Sequence, residues 1–318
     1  MNILGKVGEG CETYQPTTGL DPIDIGNIQR YLDAVRSNLL FAKSVMLVEG
    51  DAEEILIPTL VKKVLGITLD ELGISLINIR STGFQNVAVL FHDDRIKKRC
   101  AIVTDLDATF FDTTPAADDN DALSKFKARC ASAQTKGLAR KAALDTFSDG
   151  NPWVECFYAP HTFEVDFVDA GNADQVVGTI GSVYKDPATI AKAKTELESK
   201  DIAVFGKRAL LMANYEGKGW FAIALGNRID HQVIIPDYIV EAIHFLRPTL
   251  STDVWFHILS FRVACIEKAG LSTQDVIQGA REALALFRGG DMDLAAIKAL
   301  MLMTFTADPV NRILDKAG

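Results

Sequence analysis

Four short apolar runs, separated by segments of helical periodicity, restrict what this chain can become. They are SVMLV at 44–48, ISLINI at 74–79, CAIVT at 100–104 and WVECFYA at 153–159. An apolar run without polar alternation suits a strand covered on both faces. A helical stretch at 51–65 separates the first two, and Pro58 is expected to kink or interrupt it. Further helices are expected at 85–91 and, inserted before the fourth strand, at 122–146. This alternation predicts an α/β fold: a parallel sheet flanked by helices.

Upstream, residues 1–21 are polar and glycine-containing and are expected to be a loose lead-in. Residues 26–43 place Ile28, Leu32, Val35 and Leu39 at helical spacing. Downstream, helices are expected at 187–199, 206–213, 218–229 and 236–246. Pro248 within RPTLST (247–252) marks a boundary, and three more helices follow at 253–269, 273–287 and 292–303. The expected organisation is an N-terminal lead-in and helix (1–43), an α/β domain with a helical insertion around 112–150 (44–246), and a C-terminal helical region (247–318).

In a parallel α/β sheet, ligands gather beyond the carboxyl ends of the strands. Glu49 and Gly50 directly follow the first run, and Asp105 and Asp107 follow the third. Gly50 is expected to permit a tight turn. Glu53, four residues after Glu49, can point back to the same side. Asp105 and Asp107 would share one face if the chain stays extended. Carboxylates crowded in this way raise one another's pKa unless a cation sits among them. Oxygen donors of this kind suit Mg²⁺ or Mn²⁺. One or two such ions could activate water and stabilise a phosphoryl transition state. Asp51 and Glu54 are read as surface acids favoured by the helix dipole.

The motifs VMLVEGDAEEILIP (45–58) and AIVTDLDAT (101–109) resemble the TOPRIM pattern, and the first looks specifically like the OLD (overcoming lysogenization defect) nucleases. LLFAK (39–43), SLINIRSTGF (75–84), HTFEVDF (161–167) and KGWFAIAL (218–225) resemble the same family, so the likeness spans roughly 25–246. The resemblance implies a TOPRIM, Rossmann-like catalytic domain over 44–246 and a metal-dependent DNA endonuclease activity. It makes Glu49, Glu53, Asp105 and Asp107 metal ligands. Glu164 matches a later acid that helps bind a second ion, and Lys218 a lysine near the scissile phosphate. Gly83 matches a loop glycine. DNA is the implied partner, with phage defence or DNA repair the implied setting. OLD proteins begin with an ABC-type ATPase, but no GxxxxGK[ST] motif is present here. The chain is therefore expected to be a fragment lacking its ATPase or a stand-alone relative, and the family implies a homodimer.

Composition constrains the alternatives. A net charge of −9 and a pI near 5.1 argue against nucleic-acid binding unless bound cations and a local basic surface offset the acids. The five cysteines form no CxxC pair and are read as free thiols, which fits a reducing cytoplasm. No apolar run reaches transmembrane length, so no membrane association is expected. AIVTDLDATF also fits the first motif of haloacid-dehalogenase phosphatases, with Asp105 as nucleophile and Asp107 as general acid. That reading needs a second acidic pair, for which Asp291 and Asp293 are the candidates. A non-catalytic TOPRIM scaffold for DNA repair is the third reading. Lys97, Lys98 and Arg99 are read as a solvated basic loop, with DNA-phosphate contact as the alternative.

Overall fold

A computed structural model describes residues 3–7, 10–31 and 39–316, with the backbone alone at 3–7, 10, 11, 30 and 31. The chain opens with β1 (Ile3–Val7), β2 (Gly10–Tyr14) and α1 (Pro22–Tyr31). Then come β3 (Ser44–Val48), α2 (Asp51–Leu65), α3 (Leu69–Leu72), β4 (Ile74–Asn78), α4 (Gln85–Ala88), β5 (Cys100–Asp105), α5 (Asp121–Ser148) and β6 (Val154–Ala159). The rest is helical: α6 (Phe163–Asp169), α7 (Ala173–Val177), α8 (Ile180–Val183), α9 (Pro187–Leu197), α10 (Ile202–Tyr215) and α11 (Lys218–Gly226). It ends with α12 (Asp237–Leu246), α13 (Thr252–Lys268), α14 (Gln274–Gly289), α15 (Leu294–Thr304) and α16 (Asn311–Lys316).

Strands β4, β3, β5 and β6 lie in that order and pair in parallel throughout. Met46, Val48, Ala101 and Val103 face one core, whereas Val45, Leu47, Cys100 and Ile102 face another. The strands read as unbroken apolar runs because both faces are covered. On the first face, α2 buries Leu56, Ile57, Leu60 and Val64, and the same core runs on through α10 to α15 as far as Leu314. The opposite face is covered by Leu39, Leu40, Phe84, Phe91 and Leu144. Each fully buried aliphatic side chain contributes roughly 1.5–3 kcal/mol.

The structure departs from the sequence reading in several places. Residues expected to be a loose lead-in contain an antiparallel hairpin in which Ile3 faces Tyr14 across the ladder. Helix α1 starts at Pro22, four residues before the expected start, because Asp21 and Pro22 form a start signal. The Asp21 carboxylate accepts from the backbone N–H groups of Ile23 and Asp24, both at 2.8 Å, and proline suits the first helical position. The expected continuation through Leu32 and Val35 lies outside the described residues, and Leu39 and Leu40 form a short 3₁₀ turn. Helix α2 runs unbroken through Pro58. The carbonyl that proline leaves unpaired belongs to Glu54, an exposed residue, where water can replace the lost donor. Helices α3, α6, α7, α8 and α16 have seven residues or fewer, too short for periodicity to reveal.

The C-terminal helices are latched to the sheet domain by a buried arginine, which an ion pair within the C-terminal region holds in place. Arg262 on α13 is 1% exposed. Its guanidinium donates to the Asp308 carboxylate at 2.8 and 3.0 Å and to the carbonyls of Val64 at 2.8 Å and His231 at 2.6 Å. Removing one partner of such a pair leaves an uncompensated charge, so Asp308→Ala should cost about 3–5 kcal/mol, read as a lower denaturant midpoint. An unchanged midpoint would refute the latch.

Helix α5 is mostly exposed and buries only Gly137 and Leu144. A Cβ at Gly137 would lie 2.0 Å from the carbonyl oxygen of Leu106, so this glycine lets the helix touch the backbone just beyond β5. Gly279, in the exposed middle of α14, has nothing within 4 Å of an added Cβ. Helix propensity alone favours alanine over glycine by about 1 kcal/mol. Gly279→Ala should therefore raise the melting temperature and Gly137→Ala should lower it. A raised melting temperature in Gly137→Ala as well would show that α5 does not need this close approach.

Candidate metal centre

Parallel pairing brings the carboxyl ends of β3 and β5 side by side, with Val48 in register with Val103. Glu49 leaves β3 and accepts a 2.6 Å hydrogen bond from the buried hydroxyl of Thr104 on β5. Asp105 ends β5. Glu53 sits in the first turn of α2, 6% exposed. Gly50, between them, is extended (φ −143°) rather than left-handed, so the expected tight-turn reason does not apply. The room it leaves matters instead: a Cβ there would come within 3.2 Å of the Glu53 carboxylate. Asp51 and Glu54 are exposed and both accept from Asn78 at the end of β4.

Asp107 reaches the site by a different route from the one its spacing suggests. The strand ends at Asp105, and Asp107 has φ 53°, so strand alternation does not align the two acids. The residues after β5 instead follow those after β6, with Leu106 N–H donating to Ala159 and Asp107 N–H to His161. Aspartate tolerates the left-handed conformation better than most residues. Its carboxylate lies 3.4 Å from Arg140 of α5, whose guanidinium is also 3.8 Å from Glu49 and bonds the carbonyl of Asp105.

Glu164 comes from the first turn of α6 and is 1% exposed. One carboxylate oxygen takes a 3.3 Å contact from Lys218, and the other is buried with no hydrogen-bond partner. Lys218 opens α11 after Gly217, whose φ of 96° only glycine adopts readily. In the loop after β4 the left-handed residue is Arg80 (φ 56°), not Gly83.

The electrostatics tie these groups into one cluster. Burial pushes the Glu53 carboxyl up to about 7; Glu164 and Glu49 add to the rise, while its own backbone N–H and Lys218 oppose it. Burial raises Asp105 well above the usual carboxylate range, and Glu53, Glu164 and Glu49 reinforce that rise against Lys218. Burial pulls Lys218 down, but Glu164, Asp105 and Glu53 outweigh it and its pKa is raised.

Several groups here had no signal in the sequence. Tyr238 of α12 is buried with an unpaired hydroxyl; burial raises it first, then the charges of Asp105, Asp166, Glu53 and Glu164. His161 Nδ1 lies 2.7 Å from the buried Asp166 carboxylate. Asp166 stands two residues after Glu164 in HTFEVDF, which was the one available cue; Arg140 and Tyr238 arrive on distant helices. The basic run before β5 is structural rather than solvated: Lys97 pairs with Glu12, Lys98 donates to the Leu40 carbonyl and Arg99 to that of Phe245.

The donor set fits a hard divalent cation: it is all oxygen, it lies at a strand-end edge, and Glu164 keeps an unused buried oxygen. Among the described residues, no three His, Cys, Asp or Glu side chains converge on a single point. Glu49 and Asp107 are turned toward Thr104 and Arg140 instead. Electrostatic coupling acts over longer range than coordination, so the two observations are compatible. Also among the described residues, no helix is long and apolar enough to cross a membrane.

Comparison with known proteins bears on the segment that carries Glu49, Glu53, Asp105 and Asp107. The family model of the overcoming lysogenization defect protein-like TOPRIM domain matches residues 40–107. The C-terminal region of the Burkholderia pseudomallei OLD protein is 27% identical, with 65% of this chain and 98% of that chain covered and a TM-score of 0.47. The corresponding region of the Xanthomonas campestris pv. campestris OLD protein is 23% identical, covering 65% of this chain and 95% of that one, with a TM-score of 0.44. No curated protein matches the chain. Both TM-scores fall below 0.5, so the assignment rests on the sequence match, which stops short of Glu164 and Lys218. Residues 40–107, with the strand-end glutamate and the Asp-Leu-Asp inside them, belong to the OLD-like TOPRIM domain family.

Proposed function

We propose that the chain is a metal-dependent endonuclease that hydrolyses phosphodiester bonds in DNA. The observation that carries this reading is the coupling of Glu49, Glu53, Asp105 and Glu164 with Lys218 at one edge of a TOPRIM sheet. Glu49, Glu53, Asp105 and Asp107 would hold Mg²⁺ or Mn²⁺, and Glu164 would help hold a second ion. Such ions, when bound, polarise the phosphoryl group and lower the pKa of water.

The chain's own residues do the rest. Thr104 orients Glu49 through their 2.6 Å hydrogen bond. Lys218, kept cationic by the surrounding carboxylates, faces the developing negative charge on the phosphate. Arg140 holds the backbone carbonyl of Asp105 and the side chain of Asp107. The phosphatase alternative lacks its second acidic pair at the sheet: Asp293 caps α15 and Asp291 lies exposed between α14 and α15.

Incubating the chain with supercoiled plasmid in Mg²⁺, Mn²⁺ or chelator tests the reading. Metal-dependent nicked or linear product is expected, abolished by Glu49→Ala and Asp105→Ala. Lys218→Ala should slow cleavage about 10²–10³-fold, the usual effect of losing a transition-state charge stabiliser. Full activity in Glu49→Ala and Asp105→Ala would defeat the site assignment, and no product with any metal would leave the scaffold reading.

Proton binding supplies a second test on the metal-free chain. Glu53 has a folded pKa of about 7 against an ordinary value of 4.5, so the folded state holds its proton more tightly than the unfolded state. Its contribution is therefore present at low pH and is lost as pH rises from about 4.5 through about 7. The melting temperature in chelator should fall across that window more in wild type than in Glu53→Gln. Added Mn²⁺ should recover the loss at the upper end; equal pH profiles for the two proteins would rule the argument out.

A further inference from the structure

A cavity of about 430 Å³ opens beside the acid cluster, with Asp107 and Lys218 at its edge and Phe110, Phe111, Phe126 and Arg129 among its walls. That volume lies in the range of small-ligand sites. Phe111 and Phe126 stack in parallel at 5.3 Å, 9° from coplanar, and the Arg129 guanidinium lies 5.5 Å from the Phe126 ring centre. Phe110 meets Phe111 edge-on and is seated against Gly206, where a Cβ would come within 2.9 Å of its ring. Phe111 and Phe126 belong to neither hydrophobic core, so packing of the fold does not account for them.

Helix α5, which carries Phe126 and Arg129, is locally basic in an acidic chain. It bears Lys125, Lys127, Arg129, Lys136, Arg140 and Lys141 against Asp121 and Asp145 only. Lys127 and Lys141 are neutralised by Asp119 and Asp145. Lys125, Arg129 and Lys136 make no ion pair among the described residues. At helical spacing these three and Arg140 fall within one narrow stripe about 22 Å long, ending where Arg140 meets Asp105 and Asp107. A cationic track beside partly exposed aromatic rings is the physical signature of a surface for unpaired nucleic acid, because phosphates follow the charges while bases stack on the rings.

We propose that this cavity takes an unstacked nucleobase of a single DNA strand, seating the adjoining phosphate at the acid cluster, with the strand's backbone following the α5 stripe. This rests on the endonuclease reading and narrows its substrate to single-stranded or unpaired DNA. Duplex DNA keeps its bases stacked and cannot fill the cavity unless one is extruded, at an energetic cost.

The test measures binding of a fluorescein-labelled strand of about 12 nucleotides, within the span of such surfaces, to the full chain in Ca²⁺, beside a duplex of the same sequence. Wild type is expected to prefer the strand. Phe111→Ala and Phe126→Ala should each weaken strand binding about 5- to 150-fold, the range of one base–aromatic stack, whereas Phe111→Trp should retain it. A strand of abasic sugar-phosphates should bind wild type and Phe111→Ala alike. Should either alanine variant unfold, 2-aminopurine in the strand gives the same answer on wild type: its emission should be quenched on binding. Equal affinity for strand and duplex, indifference to Phe111, or unquenched 2-aminopurine would overturn the proposal. Metal-dependent cleavage alongside indifference to Phe111 would remove the cavity's role and leave the nuclease. Phe111-dependent strand binding without cleavage in any metal would remove the nuclease and leave the cavity.

Discussion

Carboxylates held together away from water repel one another, and much of the local structure is arranged around that repulsion. Glu53 and Asp105 are the most strongly affected, and the protein sets two cations among the acids: Lys218 from α11 against Glu164, and Arg140 from α5 against Glu49 and Asp107. Neither cation belongs to the sheet that presents the acids. The α5 insertion and the helices after β6 are therefore part of the site's electrostatics as well as of its outer shape. Two glycines serve this placement for different reasons, one of space and one of backbone angle. Gly137 lets α5 reach the backbone beyond β5, and Gly217 starts α11 at the angle that puts Lys218 against Glu164.

The sheet and its strand-end acids were legible because burial on both faces writes an unambiguous pattern. Strand β3 and helix α2 begin and end where their apolar spacing says, and Glu49 and Asp105 follow from asking what leaves each strand at its carboxyl end. Reasoning from local geometry was less dependable a few residues further on. Asp107 lies by the acids because its backbone turns left-handed alongside β6, a long-range pairing that two-residue spacing cannot express. Gly50 is needed for space rather than for a special φ. Arg140 and Tyr238 were illegible for a common reason: each reaches the site through tertiary packing, and a single sequence carries no record of which distant helix lands where.

Net charge shows why a global quantity is a poor guide to a local surface. A chain at −9 looks ill-suited to a polyanion, yet the screening length at physiological salt is about 8 Å. A phosphate approaching α5 therefore responds mainly to the side chains within that distance. Along the stripe those include Lys125, Arg129 and Lys136, none of which is held in an ion pair among the described residues. The acids at the sheet edge would repel the same phosphate if bare, and become hospitable only when their charge is offset. On the proposed reading, an acidic pocket and a basic track side by side are complementary parts of one arrangement: the track would draw in the strand, and cations held by the acids would let its phosphate come close. The chain's overall acidity then reflects in part the carboxylates such a centre requires, and says little about whether the protein can hold a nucleic acid.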